Sequence, residues 1–374
     1  MSRVEEQRTV EAVRGLARDE IAPLVGRGEH GRVNRPLVRA LGEHGLLEPV
    51  FPLADGRAAG RARAADLCTI REGLATESTE AETAFALQGL GAHPIFQAGS
   101  DELVRRWIPA VVAGEVVGAF ALTEPEAGSD VSAVGLRAER VEGGFRLSGV
   151  KKWISNAPDA DVYSLFARTS EGAGARGLTA FCVPGDAPGL TGAPLRLISP
   201  HAIGTLELDG VLVPDDHVLG DVDDGFRVAM RTLNLFRPSV GAGAVGMAQA
   251  ALEAAVTYAA QRRAFGKELR EFQAVSHALA EMATRVHAAR LIVRAAAEAY
   301  DEGSDDVRRT SAMAKLFATE TAQEVIDAAV QVHGAVALEE GHLLEHLYRD
   351  VRALRIYEGT SEIQREIIAR ELFR

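Results

Sequence analysis

Between residues 115 and 222 the chain loses its helical pattern, and that interruption limits the folds open to it more than any other feature. Short apolar runs occur at Val116–Leu122, Val162–Ala167, Leu178–Val183 and Leu206–Val213. Gly- and Pro-rich stretches bound them at Gly172–Gly177, Pro184–Gly189 and Pro214–Asp216. Such runs read as strands. No helical pattern separates them, so an antiparallel sheet or barrel is expected in place of βαβ units. AERVEGGFRLSG reads as a hairpin turning at Gly143–Gly144.

The flanks are helical. Val10, Val13, Leu16, Ala17 and Ile21 fall near helical spacing. Ala64 to Leu87 is rich in Ala, Leu and Glu with no proline, Gly91 to Pro94 is expected to interrupt it, and Asp101 to Val112 resumes helix. From Gly225 onward Ala and Arg dominate, with breaks expected near Gly266, Gly303 and Gly334–Gly341. Four helices of this length would form a bundle. The expected fold is α+β in three parts: an N-terminal helical domain over 1–114, a middle antiparallel β domain over 115–222, and a C-terminal four-helix bundle over 223–374.

A chain of 374 residues suits two or three domains. Its net charge of −12 argues against a general nucleic-acid binder, though a few local Arg residues could still hold an anionic ligand. Cys68 and Cys182 lie far apart, with no disulfide framework and no CxxC pair. They are expected to be inert thiols in a reducing cytoplasm. The charged N-terminus reads as an amphipathic helix and lacks the apolar core of a signal peptide. No run approaches 18 unbroken apolar residues, so no membrane span is expected.

Two motifs mislead. Gly241-Ala-Gly-Ala-Val-Gly246 matches GxGxxG, but lies in an Ala-rich helical run where a dinucleotide fingerprint needs a strand before it. Its small residues suit close helix packing. His342-Leu-Leu-Glu-His346 has the spacing of a zinc pair sharing one helix face, yet no third ligand is identifiable. A polar helix face or a supporting role is the plainer reading, and no metal is expected.

Five blocks carry chemistry. Phe120-Ala-Leu-Thr-Glu-Pro-Glu-Ala-Gly-Ser-Asp130 forms a tight loop that could bring backbone N–H groups to a planar ligand, or be a capped turn. Gly149-Val-Lys-Lys-Trp-Ile-Ser-Asn156 places Trp153 near the Ser155 hydroxyl, suited to an aromatic ligand or to a core Trp before a turn. Arg262-Arg-Ala-Phe-Gly266, followed by Phe272-Gln273, could bind phosphate or be a solvated basic face. Gln331-Val-His-Gly-Ala335 fits a helix ending at Gly334. Arg349-Asp350 and Ile356-Tyr-Glu-Gly-Thr-Ser-Glu-Ile-Gln-Arg365 put Glu358 on a loop ahead of a helix, for which Ser361 and Gln364 suggest a capping box.

Together and in this order the blocks resemble the acyl-CoA dehydrogenase family, from about residue 85 onward, and the family's three-part architecture matches the pattern above. The resemblance implies FAD and a homo-oligomer, usually a tetramer. Phe120 to Ser129, including Leu122, Thr123 and Gly128, would line the flavin. Trp153, Ile154 and Ser155 would flank the isoalloxazine, with the Ser155 hydroxyl near N5. Arg262, Phe265 and Gln273 would hold the FAD of a neighbouring subunit. Gln331, Val332, Gly334 and Ala335 would contact its adenosine end, and Thr360 and Glu362 would bind FAD again. Ser129, Asn234, Phe236, Arg237 and Gly359 would meet the substrate.

By the same resemblance Glu358 is the base that removes the α-proton of an acyl thioester. Some relatives, including isovaleryl-CoA dehydrogenases, carry the base on another helix, at the position equivalent to Phe236, and phenylalanine cannot accept a proton. Phe236 is expected to narrow the acyl pocket toward short, branched or cyclic chains. Asn234 stands where Asp is usual, and Ser199-Pro-His-Ala-Ile-Gly204 differs from the family's Arg- and Ser-containing stretch. The expected activity is α,β-dehydrogenation of an acyl-CoA, with an electron-transfer flavoprotein as acceptor. The alternatives are an acyl-ACP dehydrogenase, an acyl-CoA oxidase or, in a different class, a flavin-free scaffold.

Overall fold

The computed structural model describes residues 3–29, 31–199 and 201–373, with side chains from residue 9 onward. Expectations touching Met1, Ser2 and Pro200 lie outside the described residues. In chain order the elements are α1 (Arg3–Leu16), α2 (Arg35–Glu43), the short pair β1 (Leu53–Ala54) and β2 (Arg57–Ala58), α3 (Ala64–Glu77), α4 (Thr79–Ala98) and α5 (Asp101–Val112). Next come β3 (Gly118–Ala121), β4 (Arg137–Val141), β5 (Gly144–Ser155), β6 (Val162–Arg168), β7 (Leu178–Pro184), β8 (Leu190–Pro194), β9 (Ile203–Pro214) and β10 (Val218–Leu219). The chain closes with α6 (Gly225–Gln261), the pair β11 (Arg263–Ala264) and β12 (Lys267–Glu268), α7 (Gln273–Glu302), α8 (Val307–His333), α9 (Leu343–Leu354) and α10 (Ser361–Leu372). Two compact units form: residues 23–62 with 83–233, and residues 1–22 with 63–82 and 234–374.

The first unit is built on a sheet of order β10-β7-β6-β4-β5-β9-β8. β6 and β7 are buried almost throughout, which is why VYSLFAR and LTAFCVP read as continuous apolar runs. The hairpin turns one residue earlier than expected, at Glu142–Gly143, with Val141 opposite Gly144 already in the ladder. Phe145, Leu147, Leu165, Phe181, Leu206 and Val211 belong to one core cluster. Most ladders are antiparallel, but β3 runs parallel to β6. The long excursion through 122–136 and the β4–β5 hairpin supplies the crossover that a parallel pair requires.

The helix break in this region falls elsewhere than expected. α4 continues through Gly91 and Pro94, and the interruption is at Ser78, whose backbone is extended and whose hydroxyl accepts from Ala81 N at 3.1 Å. Gly91 serves packing: a Cβ there would lie 2.5 Å from Ala119 N. The Ser164 hydroxyl donates to Gly91 O at 2.7 Å, beside the Leu90 carbonyl that Pro94 cannot serve.

In the second unit α8 packs against α7, α9 and α10. Gly241, Gly243 and Gly246 lie inside α6, as the helical reading of that run required. A Cβ at Gly241 would meet Val293 of α7 at 2.8 Å, and one at Gly246 would meet Glu72 O of α3 at 2.5 Å. The glycines let helices approach. By length and composition α6 could cross a membrane, but 72% of its most apolar window is buried inside the protein, as in a core helix.

Candidate active site

In the first unit, residues from two strands form an exposed platform. The turn after β3 closes through reciprocal backbone bonds between Glu124 and Ala127, at 3.0 and 3.2 Å. A fully buried lysine braces it: Lys151 Nζ donates to Leu122 O at 2.9 Å and to Glu124 Oε1 at 2.7 Å. Glu124 also accepts from Gly135 N (2.8 Å) and Leu136 N (3.0 Å). Burial pulls the Lys151 pKa down to about 8, with Glu124 opposing the shift.

Alongside, Lys152 N donates to Thr123 O at 3.1 Å, joining the first two sequence blocks. The ladder between β5 and β9 then slips by one residue: Lys152 pairs with Thr205 and Ile154 with Gly204. Trp153 is the extra residue of this bulge. It has φ +57°, and the residue is 44% exposed. Bulges re-aim side chains beside functional sites, and this one turns an aromatic plane outward. Ser155 Oγ lies 3.4 Å from His201 Nε2. Phe120 is half-buried against Phe166, Thr123 is half-buried, and Gly128 and Ser129 are exposed. Leu122 and Ile154, expected to line the flavin, turn their side chains into the core instead. An outward indole beside two hydroxyls fits a flat, polar-edged group such as a flavin.

The second unit gathers Asn234, Arg237, Glu358, Gly359 and Thr360. Glu358 (φ +52°) and Gly359 (φ +94°) both adopt left-handed backbone, strained for the glutamate. Three side chains hold their carbonyls. Arg237 Nε donates to Glu358 O at 3.4 Å, Lys315 Nζ donates to Gly359 O at 2.8 Å, and Gln364 Nε2 donates to both, at 3.2 and 2.9 Å. The φ at Gly359 favours glycine, and a Cβ there would also lie 2.6 Å from Gln364 Nε2 and displace the amide that holds the loop. Arg237 Nη1 also donates to Asn234 Oδ1 at 3.2 Å.

The Glu358 residue is only half-buried, but its Oε2 is sealed from solvent and has no hydrogen-bond partner. Its pKa is raised. Burial is the main cause, the cations Arg71, Arg237 and Lys315 oppose it, and Glu82 adds to it. Among the described residues the Glu358 N–H also has no protein acceptor. Behind the loop, Arg71 and Glu82 form a buried ion pair at 2.5 Å, and Arg71 Nη1 donates to Ser239 Oγ at 3.0 Å. Phe236 is fully buried.

One local expectation fails. The capping box on Ser361 and Gln364 does not form. Thr360 is the N-cap, its Oγ1 accepting from Ile363 N at 3.3 Å, while Ser361 donates to Glu320 Oε1 at 2.6 Å. The left-handed turn at Gly359 ends one residue earlier than a Ser361 cap needs, which frees Gln364 to hold the loop. Glu362 is exposed.

The remaining blocks meet at one end of α6 and α8. Tyr258 stacks on His333 with ring centroids 4.3 Å apart, which brings the segment leading to Arg262 beside Gln331, Val332, Gly334 and Ala335. The β11–β12 hairpin has a two-residue turn, Phe265–Gly266, with both φ positive. That turn thrusts Phe265 out, 97% exposed. Arg262 and Gln273 are exposed too. The two histidines of the His342–His346 motif, which the sequence discounts as a metal pair, serve separate local contacts. His342 is the N-cap of α9, and His346 Nε2 lies 2.7 Å from Thr79 Oγ1 and 3.0 Å from Asp350 Oδ2. Among the described residues no group of three or more candidate metal ligands occurs. Both cysteines are buried, and burial pushes the Cys182 thiol up to about 12.

Sequence reasoning missed Lys151, Glu124, Lys315, Gln364, Arg71 and Glu82. A signal existed for two of them: Lys315 in SAMAKLFA and Arg71 in LCTIREGLA are charges set among apolar and small residues of helices. A charge so placed is buried only with partners.

Family profiles agree with this architecture. "Acyl-CoA dehydrogenase, N-terminal domain" matches residues 3–115, "middle domain" 119–211 and "C-terminal domain" 223–373. A cyclohexane-1-carbonyl-CoA dehydrogenase of Geobacter metallireducens is 35% identical, over 99% of this chain and 98% of its own. The structure of butyryl-CoA dehydrogenase from Megasphaera elsdenii superposes with a TM-score of 0.92 at 31% identity, covering 100% of this chain and 99% of that one. A chain from a study of the electron transferring flavoprotein of Acidaminococcus fermentans superposes with a TM-score of 0.93 at 31% identity, with the same coverage. The chain belongs to the acyl-CoA dehydrogenase family, a family of flavin-dependent oxidoreductases.

Proposed function

We propose that Glu358 removes the α-proton of an acyl thioester in an FAD-dependent α,β-dehydrogenation, and that the enzyme passes its electrons to an electron-transfer flavoprotein. The observation that carries this reading is Glu358 Oε2, buried, unpartnered and raised in pKa on a strained loop held by three side chains. A carboxylate desolvated in this way is a stronger base than one in water. The proton leaves Cα for Glu358 while negative charge builds on the thioester oxygen. The unbonded Glu358 N–H is a donor for that oxygen. Oxyanion donors typically contribute about 3–4 kcal/mol each. The second hydrogen leaves Cβ with the bonding electron pair, and FAD supplies the two-electron acceptor.

Thr123, Trp153 and Ser155 would hold the flavin ring, Phe120, Gly128 and Ser129 its surroundings, and Thr360 and Glu362 a further contact. Arg262, Phe265, Gln273 and Gln331–Ala335 would hold the FAD of a neighbouring copy. A phenylalanine 97% exposed at a strained hairpin tip supports an oligomer in which it is covered, a tetramer by family resemblance. Arg237 and Asn234 would meet the carrier, and the buried Phe236 would bound the acyl pocket, favouring short, branched or cyclic chains. Two buried thiols, one with a strongly raised pKa, suit the cytoplasm.

The test is anaerobic flavin bleaching against a panel of thioesters, each offered on CoA and on ACP. Bleaching by a short, branched or cyclic acyl-CoA is expected. ACP thioesters that work far better would assign a biosynthetic dehydrogenase instead, and peroxide formed in air would assign an oxidase. A colourless protein that takes up no FAD would end the enzymatic reading.

A further inference from the structure

We infer that Lys315 is a positioning residue for the base: it fixes the Glu358–Gly359 loop through the Gly359 carbonyl and supplies a positive charge that favours the Glu358 carboxylate. This rests on Glu358 being the base.

Lys315 sits on α8 with no exposed surface, and its Nζ makes one hydrogen bond, to Gly359 O at 2.8 Å. Gln364 Nε2 already serves that carbonyl at 2.9 Å. A second neutral donor would have completed it without the several kcal/mol that burying an ammonium costs. The buried charge therefore needs its own explanation. The other buried lysine, Lys151, has a carboxylate bonded to it at 2.7 Å. Lys315 makes no ion pair among the described residues. The charge that most stabilises its ammonium is that of Glu358, with smaller contributions from Glu320 and Glu362, and Arg237 opposes them. Glu320 is spent on Arg355 (3.0 Å), Arg365 (3.5 Å) and Ser361 (2.6 Å), and Glu362 is exposed.

The geometry separates contact from charge. Lys315 bonds the backbone one residue beyond the base and leaves the carboxylate without a hydrogen bond, so Glu358 Oε2 stays open to accept a proton. The charged and titratable groups that act most on Glu358 come from four helices, Arg71 on α3, Glu82 on α4, Arg237 on α6 and Lys315 on α8, with the neighbouring Tyr357. Arg71 is committed to Glu82, and Arg237 is shared with Asn234. Arg237 also reaches the loop, at Glu358 O (3.4 Å), but Lys315 is the cation of the three whose one hydrogen bond is to the loop.

The experiment compares Lys315→Met, Lys315→Gln and Lys315→Arg in the FAD-loaded enzyme. Each is measured for kcat, KM, the acid limb of kcat/KM and melting temperature. An infrared titration of the Glu358 carboxyl in substrate-free enzyme, assigned against Glu358→Gln, reads the base without turnover. Lys315→Met should lower kcat roughly 100-fold with KM changed little, as expected when a reacting group is displaced by about 1 Å. Loss of a nearby cation favours the protonated carboxyl, so the acid limb and the infrared midpoint should both move to higher pH, by about one unit or more. Lys315→Gln keeps a donor for Gly359 O and should retain more of kcat while showing the same pH displacement. Lys315→Arg should return the limb toward its original pH.

A merely structural lysine would lower the melting temperature and leave both pH readouts in place, and that result overturns the inference. If Lys315→Met does not fold, an unmoved acid limb in Lys315→Gln overturns it equally. Full activity in Glu358→Gln would remove the base reading itself. An inactive Glu358→Gln beside Lys315 variants with the original pH profile would sink the positioning role alone.

Discussion

Two lysines are fully buried in this protein, one in each compact unit, and both are held near a pKa of 8 by desolvation. Each donates to a backbone carbonyl of a site loop, Lys151 to Leu122 O at 2.9 Å and Lys315 to Gly359 O at 2.8 Å. They differ in what balances the charge. Lys151 has Glu124 bonded to it, and Glu124 is itself saturated by two backbone donors. Lys315 has no bonded carboxylate, and the charge that stabilises it most is that of Glu358, whose Oε2 remains unbonded. A closed pair builds a rigid platform and has no capacity left for chemistry. An open one keeps a carboxylate reactive, at the cost of a strained and under-satisfied loop. The acid paired with each lysine, more than the lysine, distinguishes scaffold from machinery.

Exchanging the acids' roles should produce the largest effects. Glu358→Gln removes a proton acceptor that nothing else replaces. Its kcat should fall by about 100- to 10,000-fold, the usual contribution of a positioned base, while folding and FAD uptake persist. Stopped-flow flavin reduction measures it, and a rate near that of the parent would dissolve the distinction between the two pairs.

Next comes the closed pair. Lys151→Met leaves Glu124 buried with two backbone donors and no counter-charge. Breaking a buried pair in this way costs about 3–5 kcal/mol, read by urea unfolding. The flavin platform should loosen with it, weakening FAD binding. A variant of unchanged stability would mean that Glu124 is satisfied by Gly135 and Leu136 alone.

The same pair predicts a smaller effect of pH. Lys151 is depressed to about 8 from an ordinary 10.5. Below pH 8 both folded and unfolded chains carry the proton, and the penalty of burying the charge is present in full. As pH rises from about 8 to 10.5 the folded state releases its proton first, the unfolded chain binds more protons, and stability from this group rises. Other groups titrate in that range, Cys182 among them, so the quantity to measure is the stability difference between the parent and Lys151→Met. It should widen in favour of the parent across that window. A flat difference would mean that Lys151 keeps its proton in the fold.

The contrast between the two pairs also shows what the amino-acid order can disclose. Strand runs bounded by Gly and Pro, such as Leu178–Val183, were legible because burial on both faces leaves an unbroken apolar run. The GxGxxG of α6 could be discounted because its neighbours are helical throughout. The Trp153 bulge was not legible, since it depends on register against β9, and register is a property of two strands. Lys315 and Gln364 escaped because one lies 43 positions before Glu358 and the other was assigned to a cap. Only the folded backbone brings both onto Gly359 O. The break assigned to Gly91–Pro94 failed because α4 approaches β3 too closely for a side chain at position 91, so glycine is required there by packing, and the helix runs on through Pro94.

The smallest effect tests how much of the open pair's strain is held by local structure. Thr360 caps α10 through Ile363 N and follows directly on the two left-handed residues of the base loop. Thr360→Ala should cost about 1 kcal/mol, the ordinary value of an N-cap. If the loop is held chiefly by Arg237, Lys315 and Gln364, that loss should appear in unfolding by urea, and in weaker FAD binding through the lost Thr360 contact, while the acid limb of kcat at saturating FAD stays near the parent value. If instead the helix start sets the loop, kcat should fall with stability, and Thr360→Ser, which restores the acceptor, should recover both. The first outcome is expected, because three side-chain donors grip the carbonyls of Glu358 and Gly359 while the cap touches neither.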